Sequence, residues 1–229
     1  MVNPLPAGRL DQPFLSIVIP AFNEQSRLRQ TLATAVSYLE QQPYSWEILV
    51  VDDGSTDDTP LIAADFAGSH PGVSVVRNEH RGKGYAVKTG MLAARGCFRF
   101  QCDADLSMSL EELPKFLPPN LTDYDIAIGS REVAGAKRLD EPFSRHLMAH
   151  SFNLIIRLIA VRGLKDTQCG FKCFRGEVAQ RLFPLQTIDG FGFDGEILFL
   201  AQQRGLRIVE VPIVWHHRGQ SKVHPFRDT

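Results

Sequence analysis

Several familiar signatures are missing from this 229-residue chain, and each absence removes a class of function. There is no Walker-type phosphate loop: the run Arg81-Gly82-Lys83-Gly84 lacks both the leading glycine and the following Ser or Thr. No Gly-x-Gly-x-x-Gly follows the first apolar run, so a nicotinamide-dependent enzyme lacks its main sign. The four cysteines, Cys97, Cys102, Cys169 and Cys173, have no paired CxxC spacing and read as buried reduced thiols rather than a zinc ribbon. Charge of one sign is absent too: Lys+Arg 25 against Asp+Glu 26 leaves a formal charge of -1, with no basic field to gather nucleic acid. The longest apolar-rich stretch, 147–161, contains His150 and Arg157 and falls short of the roughly 20 residues a spanning helix needs. Residues 1–11 carry two prolines and no apolar h-region, so they read as a loose arm, not a secretory signal, and a cytoplasmic address is expected.

What is present is an ordinary folding composition, 44% hydrophobic and 22% charged, long enough for one α/β domain with a sizeable core. Short apolar runs alternate with helix-like stretches through the first half, which is the mark of βαβ units around a mostly parallel sheet. Strands are expected at 15–20, 47–53, 73–78, 98–103 and 125–130, with helices at 24–41, 59–67, 83–94 and 110–117 between them. After Arg131 come a polar loop and a helix near 144–161 that is apolar around most of its circumference. That helix is either buried in the core or rests on lipid with Arg145 and Arg157 at the headgroups. Helices at 176–183 and 194–204 and a strand at 207–215 complete the expectation, with no linker between domains: an arm over 1–13 and a single domain over 14–229.

In open α/β sheets the ligand crevice lies at the carboxyl ends of the strands, and here three of those ends are acidic. The first run closes on Pro20-Ala21-Phe22-Asn23-Glu24, the second on Asp52-Asp53-Gly54-Ser55, and the fourth on Asp103-Ala104-Asp105. Asp57 and Asp58 are read as helix caps. Asp103 and Asp105, at i and i+2, would share a face in an extended segment and reach one hard divalent cation, and one or two carboxylates with substrate phosphate oxygens is how Mg²⁺ is usually held. Arg81 to Gly84 open the third helix, where free N–H groups, the helix dipole and two cations favour phosphate.

Together with Gly129-Ser130-Arg131, Phe193-Asp194-x-Glu196, Ser221-Lys222 and above all Asp166-Thr167-Gln168-Cys169-Gly170-Phe171-Lys172, these stretches carry a resemblance over Leu15 to Lys222. The chain resembles the family 2 glycosyltransferases of GT-A fold, α/β with a Rossmann-like, mostly parallel central sheet and helices on both faces. Within them it is most similar to the polyprenyl-phosphate sugar transferases, nearest the dolichyl-phosphate β-glucosyltransferase group.

The resemblance implies that residues 14–131 bind a nucleotide sugar and 132–229 the acceptor. Pro20, Phe22, Glu24, Val51 and Asp53 would line the base and ribose pocket, with Lys83, Ala104 and Lys222 also on the donor and Lys222 closing over the pyrophosphate. Asp103 and Asp105 would hold Mg²⁺ or Mn²⁺. Arg131 and Arg145 would bind the acceptor phosphate, with Gln168 and Lys172 near it. Asp105, Asp194 and Arg131 would carry the chemistry, Asp194 orienting groups around the sugar, or acting as general base if the acceptor were a hydroxyl. The implied reaction is inverting transfer of glucose from UDP-glucose to a polyprenyl or dolichyl phosphate at the cytoplasmic face of a membrane. Phe22 and His216 stand where mannose enzymes usually have Tyr and Arg, which argues against GDP-mannose, although that donor and a hydroxyl acceptor stay open. A processive synthase is disfavoured because Gln-x-x-Arg-Trp is absent. A non-catalytic sugar-nucleotide binder is the alternative of another class, against which the intact Asp103 and Asp105 weigh.

Overall fold

A computed structural model describes residues 12–139 and 161–216. Expectations that fall on the N-terminal arm before residue 12, the 144–161 helix up to residue 160, Arg145 and Lys222 lie outside these residues.

The described chain runs β1 (Leu15–Ala21), α1 (Leu28–Leu39), β2 (Trp46–Asp52), α2 (Thr59–Ser69), β3 (Val73–Arg77), α3 (Lys83–Ala93), β4 (Phe98–Gln101), a 3-10 helix (Leu110–Phe116), β5 (Ile126–Ser130), β6 (Lys137–Leu139), β7 (Lys172–Arg175), α4 (Gly176–Leu182), α5 (Phe193–Gln203), β8 (Ile208–Pro212) and β9 (Val214–His216). Seven strands form one sheet in the order β3-β2-β1-β4-β7-β5-β8, parallel except for β7, which is antiparallel to both its neighbours. β6 and β9 make a separate two-stranded sheet.

Period-2 alternation sorts the strands between two helix layers. Ile17, Ile19, Ile48, Val50, Phe98 and Phe100 pack with α1, α2 and the 3-10 helix. Val18, Leu49, Val51, Ile126 and Ile128 pack with α3, α4 and α5 on the opposite face. The α/β architecture with a mostly parallel sheet and helices on both faces is therefore as expected.

Three local expectations change. The 110–117 helix is 3-10, over Leu110–Phe116, with Pro114 inside it, whose ring would clash with the carbonyl one α-helical turn back. The 207–215 strand is two strands, β8 on the main sheet and β9 on the small one, parting at Ile213. β7 was not anticipated, and it matters most: Lys172–Arg175 inserts between β4 and β5, which would otherwise be adjacent. The sheet consequently crosses residue 131, with β7 and β8 of the later half paired to β4 and β5 of the earlier one.

Parallel strands put their carboxyl ends on one edge, so residues after β1, β2, β4 and β5 meet there. β7, running the other way, brings its first residue to the same edge, Lys172 opposite Gln101. The strand order reverses between β1 and β4, the position where open sheets form a crevice.

Candidate active site

Three of the ion pairs at this edge gather at the ends of β4, β5 and β7. Lys83, the first residue of α3, reaches to the end of β4 and places Nζ 2.6 Å from Asp103 Oδ1. Lys172 at the start of β7 is 1% exposed, and its ammonium donates to Asp194 Oδ1 at 2.5 Å and to the Cys169 carbonyl. Arg131, just beyond β5, donates Nε and Nη2 to the two oxygens of the fully buried Asp166 at 2.7 and 2.9 Å, and its backbone N–H donates to the same carboxylate at 3.0 Å.

These pairs feel one another. Burial acts to lower the Lys83 ammonium, but Asp103 and then Asp194 outweigh it and hold it above the ordinary lysine range. Burial acts to raise Asp103, yet Lys83, with Lys172 and Arg131 behind it, keeps that carboxyl below its usual value. For Asp194 burial prevails, and the carboxyl is raised despite Lys172 and Lys83. Asp166 is the opposite case: burial opposes ionisation, and Arg131 overcomes it and holds the carboxyl down.

Asp103 and Asp105 do not share a face of an extended strand. β4 ends at Gln101, and residues 103–106 turn, with the Leu106 N–H donating to the Asp103 carbonyl at 3.2 Å and Leu106 at φ 45°. The turn still leaves both carboxylates at the crevice, and Asp105 Oδ1 is fixed by the Ser107 N–H at 2.9 Å. Among the described residues no group of three or more His, Cys, Asp or Glu side chains comes together. Two hard carboxylate oxygens at a crevice suit Mg²⁺ or Mn²⁺ when substrate oxygens complete the shell, so this donor set fits such an ion.

Gly170 explains why the Asp166 to Lys172 run carries a glycine. A Cβ there would lie 2.1 Å from Asp103 Oδ2, so the carboxylate lies directly over the glycine. Gly170→Ala is expected to cost about 1–3 kcal/mol in urea unfolding and to weaken divalent-ion binding, because the carboxylate has to move. Wild-type stability and metal binding in that variant would mean the carboxylate shifts freely.

The expected base and ribose pocket is only partly as anticipated. Phe22 stacks on His80 with ring centroids 4.0 Å apart and 13° between planes. Asp53 is buried and accepts from the Arg81 and Gly82 N–H groups at 3.2 and 2.9 Å, with His80 Nδ1 2.8 Å from its Oδ2. The Val51 side chain is fully buried on the α3 face. Pro20, on β1, and Glu24 keep partial exposure at the edge, Glu24 pairing with Arg27 at 2.8 Å. Ala104 is buried and its carbonyl accepts from Thr31 Oγ1 at 2.6 Å.

The α3 N-terminus is less open than its sequence implies: Gly82 N–H goes to Asp53, Tyr85 N–H to the Asp189 carbonyl, and the Arg81 guanidinium to Asp189 at 2.6 Å. Lys83 is the cation of that run that faces Asp103. Gln168 is partly exposed, and its N–H donates to Asp166 at 3.2 Å. Lys172 lies beneath the crevice, not on its surface. Asp57 accepts from the Thr59 N–H at 2.9 Å, whereas Asp58, at the N-cap of α2, makes no side-chain cap hydrogen bond. Cys169 and Cys173 are buried, and burial pushes both thiols up to about 12, which leaves them to packing.

Sequence reasoning missed Gln101, His80 and the pairing of Asp166 with Arg131. Gln101 is fully buried beside Lys172, and neither polar atom of its amide has a hydrogen-bond partner among the described residues. A glutamine closing a buried strand two residues before an Asp-x-Asp was the available signal.

The Glycosyl transferase family 2 pattern matches residues 16–183. A dolichyl-phosphate beta-glucosyltransferase of Trichomonas vaginalis is 37% identical over 223 residues, covering 92% of this chain and 66% of the relative. One of Dictyostelium discoideum is 35% identical over 233 residues, covering 95% and 71%. The chain thus spans about two thirds of the first relative's length. A glucosyl-3-phosphoglycerate synthase of Mycobacterium tuberculosis, solved with Mn²⁺, UDP-glucose and phosphoglyceric acid, superposes with a TM-score of 0.65 at 22% identity, covering 91% of this chain and 73% of that one, a likeness of fold. With the pattern running from β1 through β7 and into α4, and these relatives alike along nearly the whole chain, the protein belongs to glycosyl transferase family 2.

Proposed function

We propose that the chain is an inverting glucosyltransferase that moves glucose from UDP-glucose to a polyprenyl or dolichyl phosphate. The observation that carries the reading is the meeting of Asp103, Asp105 and Lys83 at the β1–β4 switch point of a family 2 chain whose relatives are dolichyl-phosphate beta-glucosyltransferases.

A divalent ion held by Asp103 and Asp105 would supply Lewis-acid stabilisation of the charge building on the departing nucleoside diphosphate. Lys83 adds a positive charge at the same point. Phe22 and His80 offer an aromatic pair, and Pro20, Glu24 and Asp53 border it, at the base end of the crevice. A phosphate monoester, with a second pKa of about 6, is largely dianionic at pH 7 and is a nucleophile without a base. Asp194 accordingly has no proton to remove; buried against Lys172, it orients the groups around the sugar. Arg131 keeps guanidinium N–H groups beyond the two that hold Asp166, and with Arg145 it draws the acceptor phosphate. Attack in line from the face opposite the leaving group turns an α-linked donor into a β-linked lipid-phosphate sugar. Among the described residues no helix is long and apolar enough to cross a membrane. The reading adds a peripheral seat on the cytoplasmic face of a membrane.

The test is protection against thermal unfolding by a panel of nucleoside diphosphate sugars with and without Mg²⁺ or Mn²⁺. UDP-glucose with metal, at 100 times its Kd, is expected to add about 2.7 kcal/mol, followed by transfer of labelled glucose to a polyprenyl phosphate. Selective protection by GDP-mannose would move the chain to mannosyl transfer, and no response to any donor would remove the site assignment.

A further inference from the structure

Asp103 is gripped from two sides. Its Oδ2 fills the space over Gly170, and its Oδ1 holds the Lys83 ammonium at 2.6 Å. Among the pairs Lys83–Asp103, Lys172–Asp194 and Arg131–Asp166, the first is the most open, with side-chain exposures of 22% and 29%, against 1% and 5% for the second and 14% and 0% for the third. It is the pair whose partner can be exchanged from solvent.

Lys83 is suited to exchange. It begins α3, and its ammonium rides on a flexible four-carbon stem, so the charge can swing while the helix stays in place. A divalent ion on Asp103 would bring a second cation against that ammonium, and like charges in contact repel strongly in a half-buried site. A pyrophosphate offers the ammonium anionic oxygens of its own.

We propose that Lys83 is an exchangeable counter-ion, holding Asp103 Oδ1 until a nucleoside diphosphate gives its ammonium phosphate oxygens, so that divalent ion and donor load as a unit. The inference rests on the donor-site reading above and deepens it. Lys83 then sets the coupling between the two ligands, and by linkage the nucleotide tightens the ion by the same factor as the ion tightens the nucleotide.

The experiment is Mn²⁺ binding to the full chain, followed by the electron paramagnetic resonance of the free ion, with and without UDP or GDP. It uses wild type, Lys83→Gln, Lys83→Met, and Asp103→Asn combined with Lys83→Gln. In wild type, UDP is expected to tighten Mn²⁺ at least tenfold. Without nucleotide, both single variants are expected to bind Mn²⁺ at least tenfold more tightly than wild type. UDP should then tighten them less than threefold, and adding Asp103→Asn should erase the gain. Unchanged or weaker Mn²⁺ binding in a folded Lys83 variant overturns the proposal. So does wild-type Mn²⁺ binding that neither nucleotide improves, an arm that needs no variant to fold. No sugar or lipid enters these measurements. Absent glucose transfer to polyprenyl phosphate with the Mn²⁺ differences intact would refute the functional reading alone, and active transfer with no such differences would refute the exchange alone.

Discussion

Asp166→Ala is expected to destabilise the protein by about 3–5 kcal/mol, a fall of roughly 6–20 °C in Tm for a chain of this size. The carboxylate is fully buried and takes three hydrogen bonds from Arg131 and one from the Gln168 N–H. Removing it leaves a guanidinium whose side chain is 14% exposed without its counter-charge. Differential scanning calorimetry measures the loss, and a Tm within 2 °C or so of wild type would mean that solvent solvates Arg131 easily. The pair also predicts a pH signature. Asp166 is held below its ordinary value, because Arg131 overcomes the opposing effect of burial. Its contribution is then complete above the unfolded value of about 3.9 and disappears as pH falls from there through the folded one. The deficit of Asp166→Asn relative to wild type should be full at neutral pH and shrink below about pH 4.

The largest effect on activity is expected from Asp105→Asn. Its Oδ1 accepts from the Ser107 N–H at 2.9 Å, which leaves acceptor capacity on both oxygens for a cation. An amide keeps the shape and loses the charge that a hard cation requires. Metal stabilisation of a leaving group is worth several kcal/mol, so kcat/KM for glucose transfer should fall by roughly 10²–10³, together with the metal-dependent part of the UDP-glucose thermal protection. Retained turnover with retained metal dependence would shift the ligand role to other residues. Stability should change little, since the residue is partly exposed and in a turn.

Much of this architecture is readable without coordinates, for definite reasons. Runs such as Ile17-Val18-Ile19 and Ile48-Leu49-Val50 are buried on both faces, so continuous apolar sequence marks them as strands. The acidic ends of β1, β2 and β4 were legible because chain direction alone puts them on one edge. β7 was not. It has four residues, two of them basic, and a lysine in a short run reads as exposed. Lys172 is buried because Asp194 neutralises it from another element, and a partner 22 residues away leaves no local pattern. Arg131 and Asp166, 35 residues apart, are hidden for the same reason. The Asp-x-Asp spacing led to the right edge by the wrong geometry, since a turn and not an extended strand presents the two carboxylates.

The inserted β7 has a consequence for how the crevice is held together. β4 and β5 are joined only through a strand that lies some 40 residues after β5 in the chain. Without β7 the earlier strands make two separate pieces, β3-β2-β1-β4 on one side and β5 on the other, which Lys172–Arg175 alone bridges. Asp103 stands on one bank of that seam, Arg131 on the other, and Lys172 on the wedge itself. The two banks of the crevice are thus brought to one edge by a single four-residue strand, and a chain in which β7 is unpaired has no complete crevice.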